Sequence, residues 1–577
     1  MPWALPDGVS RNLMTFTQVK KAPGRWKFAL SATICTAVAV LTVSSFAGLK
    51  VGLLGTTGAF IGLVAPDRPP RARIPILTGM IAFYIVAIAI GALTGGMPVL
   101  LTISLTVIAM IAVLGYNTLV ADPPGAMFLI LGPAIASYVG QRLPLHEIVL
   151  VCGCAAVVAC VVSLLITVIR GVHPERDAVE VAQESVDAYL AAGPETSARE
   201  LGALRDEAYT AVISGGIVLE DAVGREPRRK EWRRLNARLR RLHVALVRQI
   251  LQRSIPQAKV AVRTMEQRRY LGRPKTQYLV RWGFSRSSLP WLAARRIGAA
   301  ILLTCVIAYG LHVEQPYWAV MTTALVMSLN TDRLSLTHRA AQRLAGTIVG
   351  ILLFFAVHSL HPNEYVTFAI VMLCVFLVQW TAAINYAIAA MFVTPMALLI
   401  TSTSRPTANI DTLVRDRIVD TAIGAFASIV IIWLTGRRAP IMLARRQFRR
   451  GLRSLERVLV LAASGRWATD AGFEARRDLA FEQLQCAHIL SLAQTDLPTQ
   501  MKDWDLVERQ FNEATYLVLA ACWTDDPRRY LRLERMAAAL QQIFADLPPI
   551  NTRQIDAVAL ADRLRAMLRI GLSRPAR

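Results

Sequence analysis

The chain has 577 residues, a mean hydropathy of +0.42 and a formal net charge of +24. With 54% hydrophobic residues it is too apolar for a soluble enzyme of this length, and its charged stretches exclude a chain buried in membrane throughout. These properties predict a polytopic membrane protein with sizeable cytosolic parts.

The first half of the chain opens with a series of apolar segments. Lys20, Lys21, Arg25 and Lys27 precede the first segment, and no small-residue cleavage site clearly ends it. We therefore expect a first membrane helix with its N-terminal side inside, rather than a cleavable signal peptide. The predicted membrane helices are 28–47, 51–65, 75–93, 98–116, 126–140 and 146–169. A basic polar block at 171–290 follows, and its prolines predict about four helices.

The second half repeats this order. Its apolar segments predict membrane helices at 292–311, 316–330, 341–360, 364–383, 386–402 and 415–435, and a polar helical block runs over 436–577. Two landmarks match between the halves at nearly the same separation: Pro66-Asp67-Arg68 with Thr331-Asp332-Arg333, and Ala126-Met127-Phe128 with Ala390-Met391-Phe392. This agreement favours internal duplication.

The duplicated pattern predicts the fold class. We expect an all-α membrane protein with two parallel six-helix transmembrane repeats, 1–170 and 291–435, each followed by a cytosolic helical domain, 171–290 and 436–577. An even number of helices in each half places both polar blocks on the same side as the N-terminus.

The positive charge lies beside the apolar segments. Arg228-Arg229-Lys230, Arg437-Arg438 and Arg449-Arg450 are examples. This distribution is typical of the cytoplasmic side of a membrane protein and suits anionic lipid headgroups as partners. No nucleic-acid motif accompanies the basic runs, so we expect no nucleic-acid partner. Most of the eight cysteines lie in apolar helices without neighbouring ligands, which indicates packing residues and no metal site.

The second and fifth predicted helices of each half are short. Glycines interrupt the second helix of the first half, and a proline breaks the fifth helix in both halves, at Pro133 and Pro395. Paired short or interrupted segments indicate a transport site, because unwound backbone is tolerated where it lines a cavity. Close packing of helices through small residues is the alternative, and the sequence leaves it open.

Charged residues at membrane depth indicate the chemistry of such a site. Arg339 and Arg343 are four residues apart, hence on one helix face, and Gly346 and Thr347 continue that face with small side chains. Ionisable groups in membrane segments are costly and mostly functional. Two cations beside a small-residue face predict binding of an anionic substrate.

The last apolar segment carries a second charged group. Arg415, Arg417 and Asp420 open it, and Arg142 and Arg405 precede the sixth helices of the two halves. Asp420 is a candidate proton carrier for coupling, and the alternative is a salt bridge to Arg417 one turn away.

One stretch resembles a known family. Tyr317-Trp318, then Asp332-Arg333, then Arg343 with Gly346-Thr347 and Gly350, resembles the fusaric acid resistance family of aromatic-acid exporters in bacterial inner membranes, which is distantly similar to the aluminium-activated malate channels of plants. The specific motif covers 316–351, and Arg417 with Asp420 to Gly424 is a weaker match. The expected substrate pathway comprises Trp318, Arg333, Arg339, Arg343, Gly346, Thr347, Asn385, Pro395 and Arg417.

The first half departs from this motif. Thr78 stands where the second half has Arg343, and no arginine stands opposite Arg417. We therefore expect one dominant site formed mainly by residues of the second half.

These observations predict a multi-pass protein of the bacterial inner membrane that exports small organic or aromatic acids. The chain has no G-x-x-x-x-G-K-[ST] loop, so the proton gradient or the membrane potential is expected to supply the energy. We expect no cofactor and no enzymatic activity. The alternatives are an uncoupled organic-anion channel and a membrane scaffold or helper of envelope synthesis. A homo-oligomer is left open.

The predicted orientation can be tested by cysteine labelling. A cysteine at Lys230 or Arg450 should stay unmodified when a membrane-impermeant thiol reagent is added to intact cells, and should react after permeabilisation, because both lie in basic blocks expected inside. A cysteine at His361, in a turn expected outside, is the matched control. Labelling of either basic position in intact cells contradicts this orientation.

Overall fold

The computed structural model describes residues 24–120, 125–169, 174–223, 230–256, 270–313, 316–328, 332–404, 410–435, 439–549 and 555–572. Lys20, Lys21, Arg228, Arg229, Thr331, Arg405, Arg437 and Arg438 lie outside the described residues. Every regular element in the described ranges is a helix. The chain forms two compact units. The first contains the described residues of Met1–Pro66, Arg73–Val172 and Trp282–Arg437, and the second those of Asp67–Ala72, His173–Arg281 and Arg438–Arg577.

The helices of the first half follow in this order: α1 Arg25–Ala47, α2 Leu49–Gly52, α3 Gly55–Ala59, a 3-10 turn Phe60–Leu63, α4 Pro70–Thr94, α5 Pro98–Leu119, α6 Met127–Val139 and α7 Leu145–Ile169. The first polar block contains α8 Pro174–Ala191, α9 Ala198–Val223, α10 Lys230–Ser254 and α11 Thr276–Gly283. The described residues of this block, 174–223, 230–256 and 270–290, form four helices, the number that its prolines predict.

The second half contains α12 Leu289–Gly310, α13 Tyr317–Met327, α14 Arg333–His358, α15 Glu364–Thr381, α16 Tyr386–Ser404 and α17 Ile410–Leu434. The second polar block contains α18 Ala439–Ala463, α19 Asp470–Asp496, α20 Pro498–Met501, α21 Trp504–Ala521, a 3-10 turn Pro527–Arg529, α22 Leu533–Asp546 and α23 Ala557–Leu572. All twelve predicted apolar segments are therefore helical.

The apolar helices differ in length. Eight helices of the described chain are long and apolar enough to span a membrane, namely α1, α4, α5, α7, α12, α14, α15 and α17. The shorter apolar helices are Leu49–Leu63, α6, α13 and Tyr386–Ser402 within α16. Each half thus has the order long, short, long, long, short, long. The short ones are the second and fifth, as the sequence predicts.

Several helices begin earlier than their hydropathy indicates, and α14 and α17 are two of them. α14 starts at Arg333 rather than 341, because the Asp332 carboxylate accepts a hydrogen bond from the Ser335 backbone N–H at 2.8 Å and caps the helix. α17 starts at Ile410 rather than 415. In both cases the first turns are polar, and hydropathy does not report polar turns.

The glycines of the broken second segment pack against α7. A Cβ atom on Gly58 would lie 2.2 Å from the Cys152 carbonyl oxygen, and one on Gly62 would lie 2.9 Å from the Ala159 carbonyl oxygen. These glycines therefore permit a close approach of two backbones. For them the structure supports the close-packing alternative.

Contacts between the two halves of the first unit are reciprocal. α1 of the first half packs against α15, and α5 packs against α12. The short segments pair likewise, α13 with α6 and α2 with α16. The first helix of each half thus meets the fourth of the other, and the second meets the fifth.

The second unit combines both polar blocks, which the sequence analysis treats as separate domains. The Tyr278 hydroxyl donates to the buried Glu482 carboxylate at 2.6 Å, and the Asn512 amide donates to the Asp206 carboxylate at 2.8 Å. Each hydrogen bond joins one block to the other. Burial raises the pKa of Asp206, with the Arg205 guanidinium opposing that effect.

A glycine substitution tests the packing of α3 on α7. Gly58→Ala places a methyl group against the Cys152 carbonyl, and overpacking of this kind costs about 1–3 kcal/mol. We expect a lower thermal unfolding midpoint in detergent. Gly79→Ala in α4 is the matched control, because no atom outside its own helix lies within 4 Å of its Cβ position. An unchanged midpoint for Gly58→Ala contradicts the close-packing assignment.

Candidate functional site

A cavity of about 330 Å³ lies among the four short apolar helices of the first unit. Its lining residues come from both halves: Lys50, Val51, Leu53, Leu54, Thr56, Thr57, Phe60, Leu131, Ile135, Tyr138, Val139, Arg142 and Leu143 from the first, and Tyr317, Trp318, Met321, Met396, Ala397, Ile400 and Thr401 from the second. Most of these side chains are apolar or aromatic. A predominantly apolar cavity with a few polar groups is the usual form of a small-molecule site.

Few polar side chains reach this cavity. The Thr56 hydroxyl is buried without a hydrogen-bond partner in the described chain, whereas the Thr57 hydroxyl accepts a bond from the Tyr84 hydroxyl at 2.8 Å. Lys50 forms an ion pair with Glu364 at 3.1 Å, and both side chains are about half exposed. Exposed ion pairs of this kind contribute little to stability.

A row of aromatic rings with an arginine at each end crosses the cavity wall. The Arg142 guanidinium lies 5.3 Å from the Tyr138 ring centre, and Tyr138 stacks on Tyr317 at 4.7 Å. Tyr317 contacts Trp318 at 5.0 Å, and the Arg417 guanidinium lies 3.9 Å from the Trp318 ring centre. The row joins both halves, because Arg142 and Tyr138 belong to the first and the other three to the second.

Arg343 of α14 and Arg417 of α17 form a buried pair of cations. Each side chain is 1% exposed, and none of the three side-chain nitrogens of either residue has a hydrogen-bond partner among the described residues. α14 packs against α17, and Arg417 is repelled electrostatically by the Arg343 guanidinium and attracted by the Asp420 carboxylate. Neither belongs to the described residues that line the cavity. Buried charges without such partners are costly, and the role of the two arginines as a ligand site stays a prediction.

Asp420 lies one turn after Arg417. Its side chain is fully buried, and neither carboxylate oxygen has a hydrogen-bond or ion-pair partner within the described ranges. The structure therefore does not contain the Arg417–Asp420 salt bridge that was the alternative reading, because the Arg417 guanidinium lies over Trp318 instead. The role of Asp420 in coupling stays a prediction.

Arg73 in α4 shows what a structural arginine of this unit looks like. Its side chain is 2% exposed, yet it donates to the Val64 carbonyl at 2.8 Å, the Gly62 carbonyl at 2.6 Å and the Ser163 hydroxyl at 2.9 Å. These bonds satisfy backbone groups at the end of the broken second segment. Arg73 differs from Arg343 and Arg417 in having such partners.

Trp318 is the predicted pathway residue that lines the cavity. Arg339 lies over the Tyr386 ring at 4.6 Å, and the Arg333 side chain is buried at the start of α14. The Asn385 side-chain oxygen accepts a bond from the Ala387 backbone N–H at 2.8 Å. Asn385 thus caps α16.

The small predicted residues hold α14 against α16. A Cβ atom on Gly346 would lie 2.8 Å from the Ala387 carbonyl oxygen, and one on Gly350 would lie 3.1 Å from the Pro395 ring. The Thr347 hydroxyl donates to the Arg343 carbonyl at 2.8 Å. Gly346, Thr347 and Pro395 therefore act as packing residues beside the site in this structure.

The first half provides no counterpart of the arginine pair. Thr78 is exposed, and its hydroxyl donates to the Ile74 carbonyl of its own helix at 2.9 Å. The expectation of one dominant site formed mainly by second-half residues stays a prediction, and the cavity itself is lined by residues of both halves.

Sequence reasoning missed several residues around the site. Tyr138 and Thr56 line the cavity from the first half, and the Tyr386 ring lies under Arg339. Nothing in the pattern separates an apolar or aromatic cavity residue from a core residue. The position of Tyr138 on a short, proline-broken helix was the available signal.

Comparisons with known proteins address the same region. Residues 302–431 match the model of the family described as "Fusaric acid resistance protein-like". The second apolar half is therefore similar to this family. The match contains Trp318, Arg343, Arg417 and Asp420, and it confirms the resemblance found in 316–351.

Two relatives are similar to parts of the chain. The membrane protein YvaC of Bacillus subtilis (strain 168) is 30% identical over 167 residues, which are 29% of this chain and 26% of that protein. The protein ORF2 of Neisseria gonorrhoeae is 28% identical over 143 residues, 24% of this chain and 33% of that protein. The matched segments thus span about a quarter and a third of these two relatives. No solved structure matches the chain. The apolar helices, the family match and the similarity to a membrane protein together indicate a multi-pass membrane protein.

Substitution of the two kinds of buried arginine should have opposite effects on stability. Arg343→Met removes an unpaired buried charge and keeps an apolar side chain, so the thermal unfolding midpoint of the empty protein should stay equal or rise. Arg73→Met leaves two carbonyls and a hydroxyl without their donor and should cost about 1–3 kcal/mol or more. Thermal unfolding in detergent measures both. If Arg343→Met is destabilised and Arg73→Met is not, the distinction between a structural Arg73 and an uncompensated Arg343 is wrong.

Proposed function

We propose that this protein is a transporter of the bacterial inner membrane that exports small organic or aromatic acids between its two halves. The observation that carries the proposal is the buried pair Arg343 and Arg417, whose guanidinium groups lack partners beside a cavity lined by rings. Buried cations without partners at membrane depth are mostly functional. An organic acid supplies the missing carboxylate for the arginines and an apolar body for the cavity.

The proposed architecture has twelve membrane spans in two parallel six-helix repeats, with the pathway on a pseudo-twofold axis between them. The reciprocal contacts of α1 with α15 and of α5 with α12 support a twofold relation. The four short helices meet at the cavity, where helices too short to cross the membrane alone are shielded by protein.

The proposed orientation places the N-terminus and both polar blocks in the cytoplasm. α14 then runs outward, and Arg333, Arg339 and Arg343 follow one another from the cytoplasmic end of this helix into the membrane. This order offers an organic anion successive cations on its way out. A membrane potential that is negative inside favours export by about 2.3 kcal/mol per charge per 100 mV. The basic polar blocks are suited to anionic lipid headgroups.

An uncoupled organic-anion channel is the nearest alternative, since the same arginines would serve it. Uphill flux that depends on a pH gradient separates the two. A scaffold or helper of envelope synthesis gains nothing from two unpaired buried cations, and for this reason the site favours transport. The proposal includes neither an enzymatic activity nor a cofactor.

The proposal predicts a loss of apparent affinity when Arg343 is removed. Charge-assisted contacts with a carboxylate contribute roughly 1.5–3 kcal/mol, so Arg343→Ala should weaken apparent affinity by about 10- to 150-fold. Arg343→Lys should rescue only in part, because it lacks the planar fork. Flux of labelled carboxylates in reconstituted vesicles measures both. Arg295→Ala, an exposed arginine of α12, is the control. Normal transport by Arg343→Ala at limiting substrate contradicts the role of Arg343 in binding the substrate carboxylate.

Coupling to protons is tested at Asp420. If this carboxylate loads and releases the coupling proton, Asp420→Asn should lose uphill, pH-driven transport and keep downhill exchange, because the amide cannot titrate. Asp411→Asn, at an exposed carboxylate in the first turn of the same helix, is the control. Unchanged pH-driven accumulation in Asp420→Asn removes this residue from the mechanism and favours the channel.

A further inference from the structure

The Trp318 side chain contacts both the cavity and one arginine of the buried pair: it lines the cavity, and the Arg417 guanidinium lies 3.9 Å from its ring centre. Arg343 and Arg417 are each 1% exposed and do not belong to the described cavity lining. The Trp318 ring is therefore in contact with Arg417 and with the cavity at the same time.

The contact with Trp318 is a weak substitute for an anion. An aromatic face attracts a guanidinium group through its quadrupole but accepts no conventional hydrogen bond from it. The three nitrogens of the Arg417 side chain accordingly have no hydrogen-bond partner in the described chain. A carboxylate would accept two parallel N–H bonds and compensate the charge as well. An arriving anion is thus the stronger ligand and displaces the ring.

The Trp318 side chain is 4% exposed and packed in the core, and close contacts hold the backbone around it. A Cβ atom on Gly424 would lie 2.4 Å from the Ala319 carbonyl oxygen, so α17 and α13 are in close backbone contact. The preceding Tyr317 is stacked on Tyr138 of the first half. Rotation of one indole is therefore a smaller change than movement of α13.

We propose that Trp318 is a gate between two anion positions, the cavity and the Arg343–Arg417 pair. This inference rests on the proposed function and deepens it. In the arrangement described here the indole occupies the place of the anion on Arg417. The anion passes between the two positions only while the indole is turned aside, and the ring returns to Arg417 when the pair is empty.

The gate is tested by accessibility to an anionic methanethiosulfonate reagent. Asp420→Cys places a thiol one turn from Arg417 on the same helix face, and Thr401→Cys places one in the cavity lining. The rate of modification of each is measured in the native Trp318 background and with Trp318→Ala. Mass spectrometry of the peptide that contains the new thiol gives the rate, since the chain has eight native cysteines.

We expect Trp318→Ala to accelerate modification of Asp420→Cys by about tenfold or more, because this substitution removes the ring and the cation–π contact that close the path. The rate for Thr401→Cys should not change. Trp318→Phe, which retains an aromatic face, should stay near the native rate. Should Trp318→Ala fail to fold, Trp318→Leu replaces it, with the Thr401→Cys rate as the check on the cavity.

Equal rates for Asp420→Cys in the two backgrounds overturn the gate and leave the export proposal intact. An equal acceleration of both thiols also overturns the gate, because it reports a loosened cavity. If the gate result is obtained but no carboxylate flux depends on Arg343, the export proposal is the one that fails.

Discussion

The cost of holding two cations without partners inside an apolar unit is the constraint on which this structure depends. An unpaired charge in a medium of low polarity loses its hydration and gains nothing in return. Arg343 and Arg417 nevertheless repel each other, and their side-chain nitrogens have no hydrogen-bond partner among the described residues. Arg73, equally buried, has three hydrogen bonds. The same unit thus satisfies an arginine where the role is structural and leaves two unsatisfied next to the cavity.

The position of the cavity follows from helix length. Long apolar helices provide the outer contacts of the first unit, and four short segments meet inside it. The broken second segment turns its glycines toward α7 and therefore presents Thr56, Thr57 and Phe60 to the cavity. The glycines lie on one face of this segment, and the cavity-lining residues lie on the other. Close packing of helices and a transport site are therefore compatible explanations of these glycines.

The sequence predicted much of the architecture because membrane helices have strong signals. All twelve apolar segments were located, and the short helices were found at the second and fifth positions. Starts of helices were less accurate where polar caps precede the apolar run, as at Asp332. The joining of the two polar blocks in one unit was not predictable, since it depends on pairs such as Tyr278 and Glu482 that are far apart in the chain.

The site was predictable in its charges and not in its rings. Arg343, Arg417 and Asp420 could be found because ionisable residues are rare in apolar segments. The salt bridge of Arg417 with Asp420 was a reasonable reading of their spacing, yet the guanidinium lies over Trp318. Side-chain direction within a helix face depends on the neighbouring helix, which local spacing does not report. Tyr138 was not predicted as a site residue because the sequence does not show which neighbouring helix its side chain faces.

The reciprocal contacts of the two halves have a consequence for biosynthesis. α1 and α5 emerge from the ribosome early, and their partners α15 and α12 are made only after the first polar block. During that interval the packing faces of α1 and α5 are covered by lipid or by an insertion factor. The contacts between the halves are complete only after α16, the partner of α2, has also been made. The long polar block sets the length of this wait, since its synthesis takes seconds at about 5–20 residues per second.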